Sequence, residues 1–315
     1  KMDHFVTRTS SSSSSSPSAA PPAAPGRVMV GRRQYGAGGK FLDPFIPGFT
    51  TILCLTPSSP YGPISPYSLK DAEGRLMENI WQFAKIYETV PVTKQRYSRY
   101  SQRVIWEHGA ERHLTAAGTP TPAYWAWRAK GMHCECAIRY PVGFGHRHAC
   151  RGALTGPDTG HCAKPEPEAE ADENVRQAQA EAKDKQPPKK KARRELPLLS
   201  YIDSRRQIYL PVYARLLQGH PLFCSLQAQH RRGVNLLIVE VDGPHRESLD
   251  YYRAKYPAQV AAGFTITDNE CVEATETAMT LLLNDPKHPF GHGYCLAMAV
   301  MGKARAWNRS LAAQT

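Results

Sequence analysis

Val234-Asn235-Leu236-Leu237-Ile238-Val239-Glu240-Val241 is the run on which the architecture of this chain turns. Its middle is apolar on both faces, so it reads as a strand covered from both sides and therefore central in a sheet. It stops at Asp242-Gly243-Pro244, a strong turn. Asp242 and His245 thus fall at the carboxyl end of a buried strand, where helix-flanked sheets commonly place ligand groups. A turn-forming aspartate ahead of Gly-Pro is the plainer reading of Asp242.

Working outward, residues 201–217 (YIDSRRQIYLPVYARLL) read as helix, kinked or broken at Pro211, and Pro221 to Gln229 as a short helix. Beyond the strand, Glu273 to Leu283 and Tyr294 to Trp307 have helical character. Toward the amino end, Thr51 to Leu55 reads as a strand, followed by a Pro/Gly/Ser loop through Ser65, an extended piece at Tyr67 to Lys70 and turn chemistry at Asp71-Ala72-Glu73-Gly74. Next comes a helix over Met77 to Tyr87, with Met77, Ile80, Trp81 and Ala84 at helical spacing. Helices alternating with a few short strands imply a mixed domain, α/β or α+β.

With 315 residues there is room for a sizeable core, and no apolar run approaches the roughly 18 residues of a membrane span, which excludes an integral membrane protein. Lys+Arg number 40 against Asp+Glu 28, and the net charge of +12 favours polyanionic partners, nucleic acid or a phosphate-bearing small molecule. Eight cysteines spread along the chain without a leading apolar segment read as reduced thiols in an intracellular setting. Residues 1–47, rich in Ser, Pro, Ala and Gly, are expected to form a disordered arm, and 157–196, running from an acidic to a basic block, a disordered charged linker. The run Lys189 to Arg194 (KKKARR) in that linker suits nuclear import or nucleic acid, with the cytoplasm equally open. Residues 48–156 and 197–310 are then two halves of one domain.

Three patterns carry chemistry. Glu78, Gln82 and Lys85 fall at i, i+4 and i+7 on the 77–87 helix, hence on one face, flanked by Trp81 and Phe83. A carboxylate beside aromatics orients water or stabilises a developing positive charge, while the amide and lysine fix a ribose or phosphate; an exposed Glu–Lys face is the alternative. Asn284 to Cys295 (NDPKHPFGHGYC) is a loop opening into a helix, whose backbone N–H groups, with His288 and His292, suit an anion, Gly291 and Gly293 permitting close approach. Cys134, Cys136, His146, His148 and Cys150 are soft ligands for zinc, though their spacing matches no common module; Arg139 to His148 reads alternatively as a basic aromatic loop at a pocket edge. Lys94 to Trp106 and Tyr124 to Arg128 interleave bases with aromatics, equally suited to base stacking and to a core.

Tyr61-Gly62 and Ser65 after an opening strand, then Gly74 to Lys85 (GRLMENIWQFAK), the 204–217 helix with Gly219-His220-Pro221, the strand into Asp242, and Asp285 to Gly302 resemble, in order, the motifs of the NADAR superfamily. The resemblance spans about 130 residues in three blocks, with Asn79 where the family has a His, and Pro289-Phe290-Gly291 where it has Trp-Gly. It implies a single compact α+β domain, a small sheet surrounded by helices, whose members cleave N-glycosidic bonds in phosphoribosyl intermediates or in ADP-ribose attached to guanine. It further implies Glu78 and Asp285 as catalytic carboxylates. Tyr61, Trp81, Gln82, Lys85, Asp242, His288, Gly291, His292 and Gly293 are implied to bind ADP-ribose or another nucleotide-like anion, with no cofactor required. A non-catalytic basic nucleic-acid-binding protein and a zinc module at 133–162 are the competing expectations.

Overall fold

The computed structural model describes residues 24–96, 105–155 and 198–304. The strand that opened the sequence reading is in place. Counting strands in chain order, β1 is Val28–Arg32, β2 Gln34–Tyr35, β3 Phe41–Leu42 and β4 Thr50–Leu53. Small strands follow at Lys85–Tyr87 (β5), Thr89–Val90 (β6), Thr93–Arg96 (β7), Ile105–His108 (β8), Glu111–Arg112 (β9) and Cys150–Ala153 (β10). The run at 234–241 supplies β11, Leu236–Glu240, and β12 is Cys271–Glu273. The main sheet has the order β12-β1-β11-β4, with β11 parallel to both neighbours and β12 antiparallel to β1. All five residues of β11 are buried, as its two-faced apolar pattern requires.

The arm expected at 1–47 is therefore wrong in its second half. Val28, Met29 and Val30 are buried, and β1 lies inside the sheet, in register with β11 as Val30↔Ile238. Val28 and Val30 join the main core, while Met29 packs on the other face with Leu237 and Cys271, where Ile46 and Phe49 cover it. A three-residue apolar stretch embedded in Pro, Gly and Arg has too little length to announce itself, and its stability comes from the strands on either side. Residues 1–23, the linker, the KKKARR run and Trp307 lie outside the described residues.

The helices are α1 (Met77–Ala84), α2 (Pro122–Met132), α3 (201–217), α4 (Pro221–Arg231), α5 (Leu249–Lys255), α6 (Pro257–Ala261), α7 (Glu276–Asn284) and α8 (His292–Val300). Pro211 does not break α3: a π turn at Arg205–Tyr209 precedes it, and the widened turn relieves the clash between the proline ring and the carbonyl four residues back. Cys271 to Glu273, whose end was expected to start a helix, is strand instead, and α7 begins after Thr275, whose hydroxyl caps the Ala278 N–H. Tyr67 and Ser68 lie in a turn, and of the extended piece expected over 67–70 only Lys70 pairs as strand, in an isolated antiparallel bridge to Leu76. Among the described residues no helix is long and apolar enough to cross a membrane.

Strands from both halves share one sheet, so the two halves make one mixed helix-and-strand body. From the aromatic-rich stretches, Trp106, Tyr124 and Trp127 are core residues, with Phe83 packed against Trp106 and Trp127 at 5.0 and 4.6 Å between ring centroids, while residues 97–104 lie outside the described residues.

Candidate active site

Every residue of α1 is buried, which makes its polar members expensive unless they are paired. The helix start is secured by the preceding loop, the N–H groups of Met77 and Glu78 donating to the carbonyls of Leu69 and Pro66. Gln82 Nε2 donates to Glu78 Oε1 at 2.8 Å, and Lys85 Nζ donates to Gln82 Oε1 at 2.9 Å. The helix ends one residue before Lys85, which turns into β5 rather than continuing to Tyr87. Its ammonium nonetheless folds back over the Trp81 ring, 4.7 Å from the centroid. The Glu–Gln–Lys series is thus a single hydrogen-bonded chain. It uses one carboxylate oxygen of Glu78; among the described residues Oε2 accepts no hydrogen bond. Burial raises the Glu78 carboxyl above its ordinary range, against the Gln82 hydrogen bond and the fields of Arg139, Lys85 and His292.

A second wall comes from the end of β11 and the start of α8. The Glu240 carboxylate accepts from the N–H groups of Val241 and Asp242 through Oε1 and from Gly293 N–H through Oε2 at 2.6 Å. A Cβ at Gly291 would lie 2.1 Å from the Glu240 carboxyl carbon, so glycine is needed there to let the acid in. The amino end of α8 was expected to cradle a substrate phosphate; instead the chain's own carboxylate takes the Gly293 N–H. His292 is 7% exposed, its Nε2 bonded to the Cys54 carbonyl and its Nδ1 3.4 Å from Glu240 Oε2. Burial opposes its charge, but Glu240 and the Cys54 carbonyl prevail and push the imidazole up to about 10, leaving a permanent cation at neutral pH.

Asp242 is exposed at the carboxyl end of β11, with the surrounding protein removing part of its hydration. That desolvation, then the nearby Glu240, raises its carboxyl to about 6, with Glu78 adding and Arg139 and His292 opposing. No hydrogen bond reaches its oxygens among the described residues.

The third wall lies 55 residues beyond α1 in sequence, in the stretch read as a loop at the pocket edge. Asn79, fully buried next to Glu78, donates through Nδ2 to the carbonyls of Cys134 and Cys136, both at 2.9 Å, and its Oδ1 accepts from Ile138 N–H at 2.8 Å. This pin delivers Arg139 and Tyr140. The Arg139 guanidinium lies 5.9 Å from the Tyr67 ring centroid and 5.4 Å from that of Tyr140, within the fields of Glu78 and Asp242. Tyr209 of α3 packs on Trp81 at 5.0 Å and closes the cluster from behind.

The structure therefore brings together Glu78, Trp81, Gln82, Lys85, Asp242 and His292, and adds Tyr67, Arg139 and Glu240, which sequence reasoning left out of the site or at its edge. Glu240 had a visible sign, an acid inside a wholly apolar strand. Asp285 and His288 belong to a separate network. Asp285 is fully buried, and its carboxylate accepts from Tyr251 Oη (2.8 Å), Tyr252 Oη (2.6 Å), the Lys287 N–H (3.0 Å) and His288 Nδ1 (2.5 Å), while His288 Nε2 meets the Ser248 hydroxyl at 2.9 Å. With its oxygens so filled, Asp285 is built as a structural anchor. Tyr61 is half-buried and packs against the core.

Among the described residues, Cys134, Cys136, His146, His148 and Cys150 bring no three ligand atoms together; the Cys134–Cys136 backbone serves Asn79 instead. His245, Glu247 and Glu270 do approach one another, but Arg32 donates to Glu270 and contacts His245, supplying the positive charge there. A cavity of about 490 Å³ between β5–β6 and residues 110–112 and 142–149 is lined by none of the Glu78 cluster. No protein-family model matches this chain, and neither does any curated protein or solved structure.

Proposed function

We propose that the chain is an N-glycosidase of the NADAR kind, hydrolysing the bond between ribose C1 and a base nitrogen in a nucleotide-like anion such as an ADP-ribosylated base. One observation carries the reading: a buried carboxylate, Glu78, with one oxygen braced by Gln82 and the other unclaimed, beside Asp242 and three cationic side chains. As the C1–N bond lengthens, its electron pair passes to the leaving nitrogen and the ribose gains oxocarbenium character, which the Glu78 carboxylate stabilises. A water adds to C1 and gives a proton to the Glu78 carboxylate, which passes it on to the departing base nitrogen; the sum is consumption of one water. Gln82 holds the carboxylate in one rotamer, so little reorganisation is needed at the moment of reaction.

The test is Glu78→Gln, which keeps the shape and the bond from Gln82. Turnover of an ADP-ribosylated base should fall about a thousandfold, within the range general for removal of an acid–base group, with the melting temperature nearly unchanged. Undiminished turnover would defeat the reading. The nucleic-acid alternative draws support from the net charge of +12 and from the β2–β3 hairpin, where Tyr35, Phe41 and Leu42 are exposed and Arg33 lies 5.0 Å from the Phe41 ring centroid. It loses the tryptophans that would stack on bases, since Trp106 and Trp127 are buried.

A further inference from the structure

We propose that Arg139 is the phosphate-reading residue of the cleft, the subsite for a phosphate or pyrophosphate group on the substrate. The proposal rests on the glycosidase reading for the rest of the ligand, and on its own observations for the subsite.

The fully buried arginines Arg205 and Arg128 are held by hydrogen bonds through their terminal nitrogens, each leaving only Nε without a partner among the described residues. Arg205 donates to the carbonyls of Leu283, Asp285 and His288, and Arg128 to the Tyr124 hydroxyl and the carbonyls of Leu154 and Thr155. Arg139 is half-buried, yet among the described residues its guanidinium makes no hydrogen bond and no ion pair within 4.0 Å. It lies near two tyrosine rings, 5.9 Å from the Tyr67 centroid and 5.4 Å from that of Tyr140, which leave its N–H groups unused. A planar fork of five donors with no acceptor, half open to solvent beside those rings, matches the oxygens of a phosphate group, which it can grip with two parallel bonds.

The surroundings set the direction of the ligand. Glu78 and Asp242 lie close enough to act on Arg139 but do not pair with it, so the cleft keeps negative and positive groups side by side. A ligand that turns positive at its reacting carbon and is negative at its far end fits such a field. Asn79 and Glu78 are consecutive residues of α1, and Asn79 fixes the segment carrying Arg139 through three hydrogen bonds. The acid and the segment carrying the anion reader are thereby anchored at adjacent positions of one helix.

The experiment titrates the full chain, as wild type and as Arg139→Met, Arg139→Lys and Glu78→Gln, with ADP-ribose, ribose 5-phosphate and ribose, following binding by calorimetry. Wild type should bind the two phosphorylated ligands at least tenfold tighter than ribose. Arg139→Met should weaken both by about 30-fold, the loss expected of a charge-assisted pair, and leave ribose unchanged; Arg139→Lys should recover part of the loss. Glu78→Gln should bind ADP-ribose within about threefold of wild type, since it removes chemistry rather than the grip on phosphate. Wild-type protein that prefers neither phosphorylated ligand over ribose overturns the proposal, as does Arg139→Met that binds them as wild type does. Failure of the glycosidase reading looks different: Glu78→Gln turns over substrate normally while the Arg139 series still tracks phosphate.

Discussion

Asp242 and Asp285 are the same residue 43 positions apart, and the fold treats them in opposite ways. Asp285 is sealed from water with donors on both oxygens; burial pushes its carboxyl up, but Tyr252, His288, the Lys287 N–H and Tyr251 together hold it below the ordinary aspartate range. Asp242 stands exposed at the end of β11, receives no hydrogen bond among the described residues and is pushed up to about 6. Buried polar groups that are fully paired add rigidity, whereas an exposed acid beside a second acid costs little stability and keeps its oxygens free for a ligand. Residue type does not separate the two regions; the number of donors does.

The sharpest way to break the contrast is to place an amide in each region and read both activity and stability. Glu78→Gln in the open region should cost the thousandfold already stated and almost no stability, and Asp285→Asn should do the reverse. Removing charge from Asp285 turns one of its acceptors into a donor facing donors, which should lower unfolding free energy by about 3 kcal/mol in a denaturant titration, with the catalytic constant of the folded fraction within about twofold. A thousandfold loss of activity in Asp285→Asn at wild-type stability would merge the two regions and restore that residue to a chemical role.

Smaller effects lie in the pH dependence. His292 is raised in the folded state, so its contribution is complete below the unfolded value of about 6.5 and is lost as pH climbs toward about 10. Asp285 is lowered, so its contribution is complete above about 4 and disappears as pH falls below that. Thermal melts should therefore weaken on both flanks, and His292→Gln should flatten the alkaline flank alone. The smallest change is expected for Asp242→Asn. Ionising a carboxylate whose folded value is raised costs stability from about pH 4 upward, so the amide should be slightly more stable at pH 7, by less than about 1 kcal/mol given its solvent-screened face. The same substitution should abolish any inflection near pH 6 in the rate profile.

The same difference explains what the sequence made legible. β11 and the Glu78–Gln82 spacing follow from local periodicity, and both could be read directly. The end of α1 at Ala84 could not, because Lys-Ile-Tyr carries no Gly or Pro to stop a helix and becomes strand only by pairing with β10. Arg139 is brought in by Asn79 hydrogen bonds across 55 to 59 residues, a contact no local pattern encodes. Asp285 is implied as an active acid only by the family resemblance; its tyrosine partners lie more than 30 residues upstream, where no local pattern joins them to it.

The position of β1 carries a consequence for how the molecule comes into being. Its neighbours in the sheet are contributed by the last third of the chain, and the Arg27 N–H finds its acceptor, Asn235, 208 residues later. An emerging polypeptide must therefore carry an unpaired hydrophobic strand until some 208 further residues have been made, a high-contact-order arrangement that slows folding and invites chaperone capture. Trimming the amino end at residue 47, harmless on composition alone, would remove an inner stave of the sheet and leave β11 with an open edge.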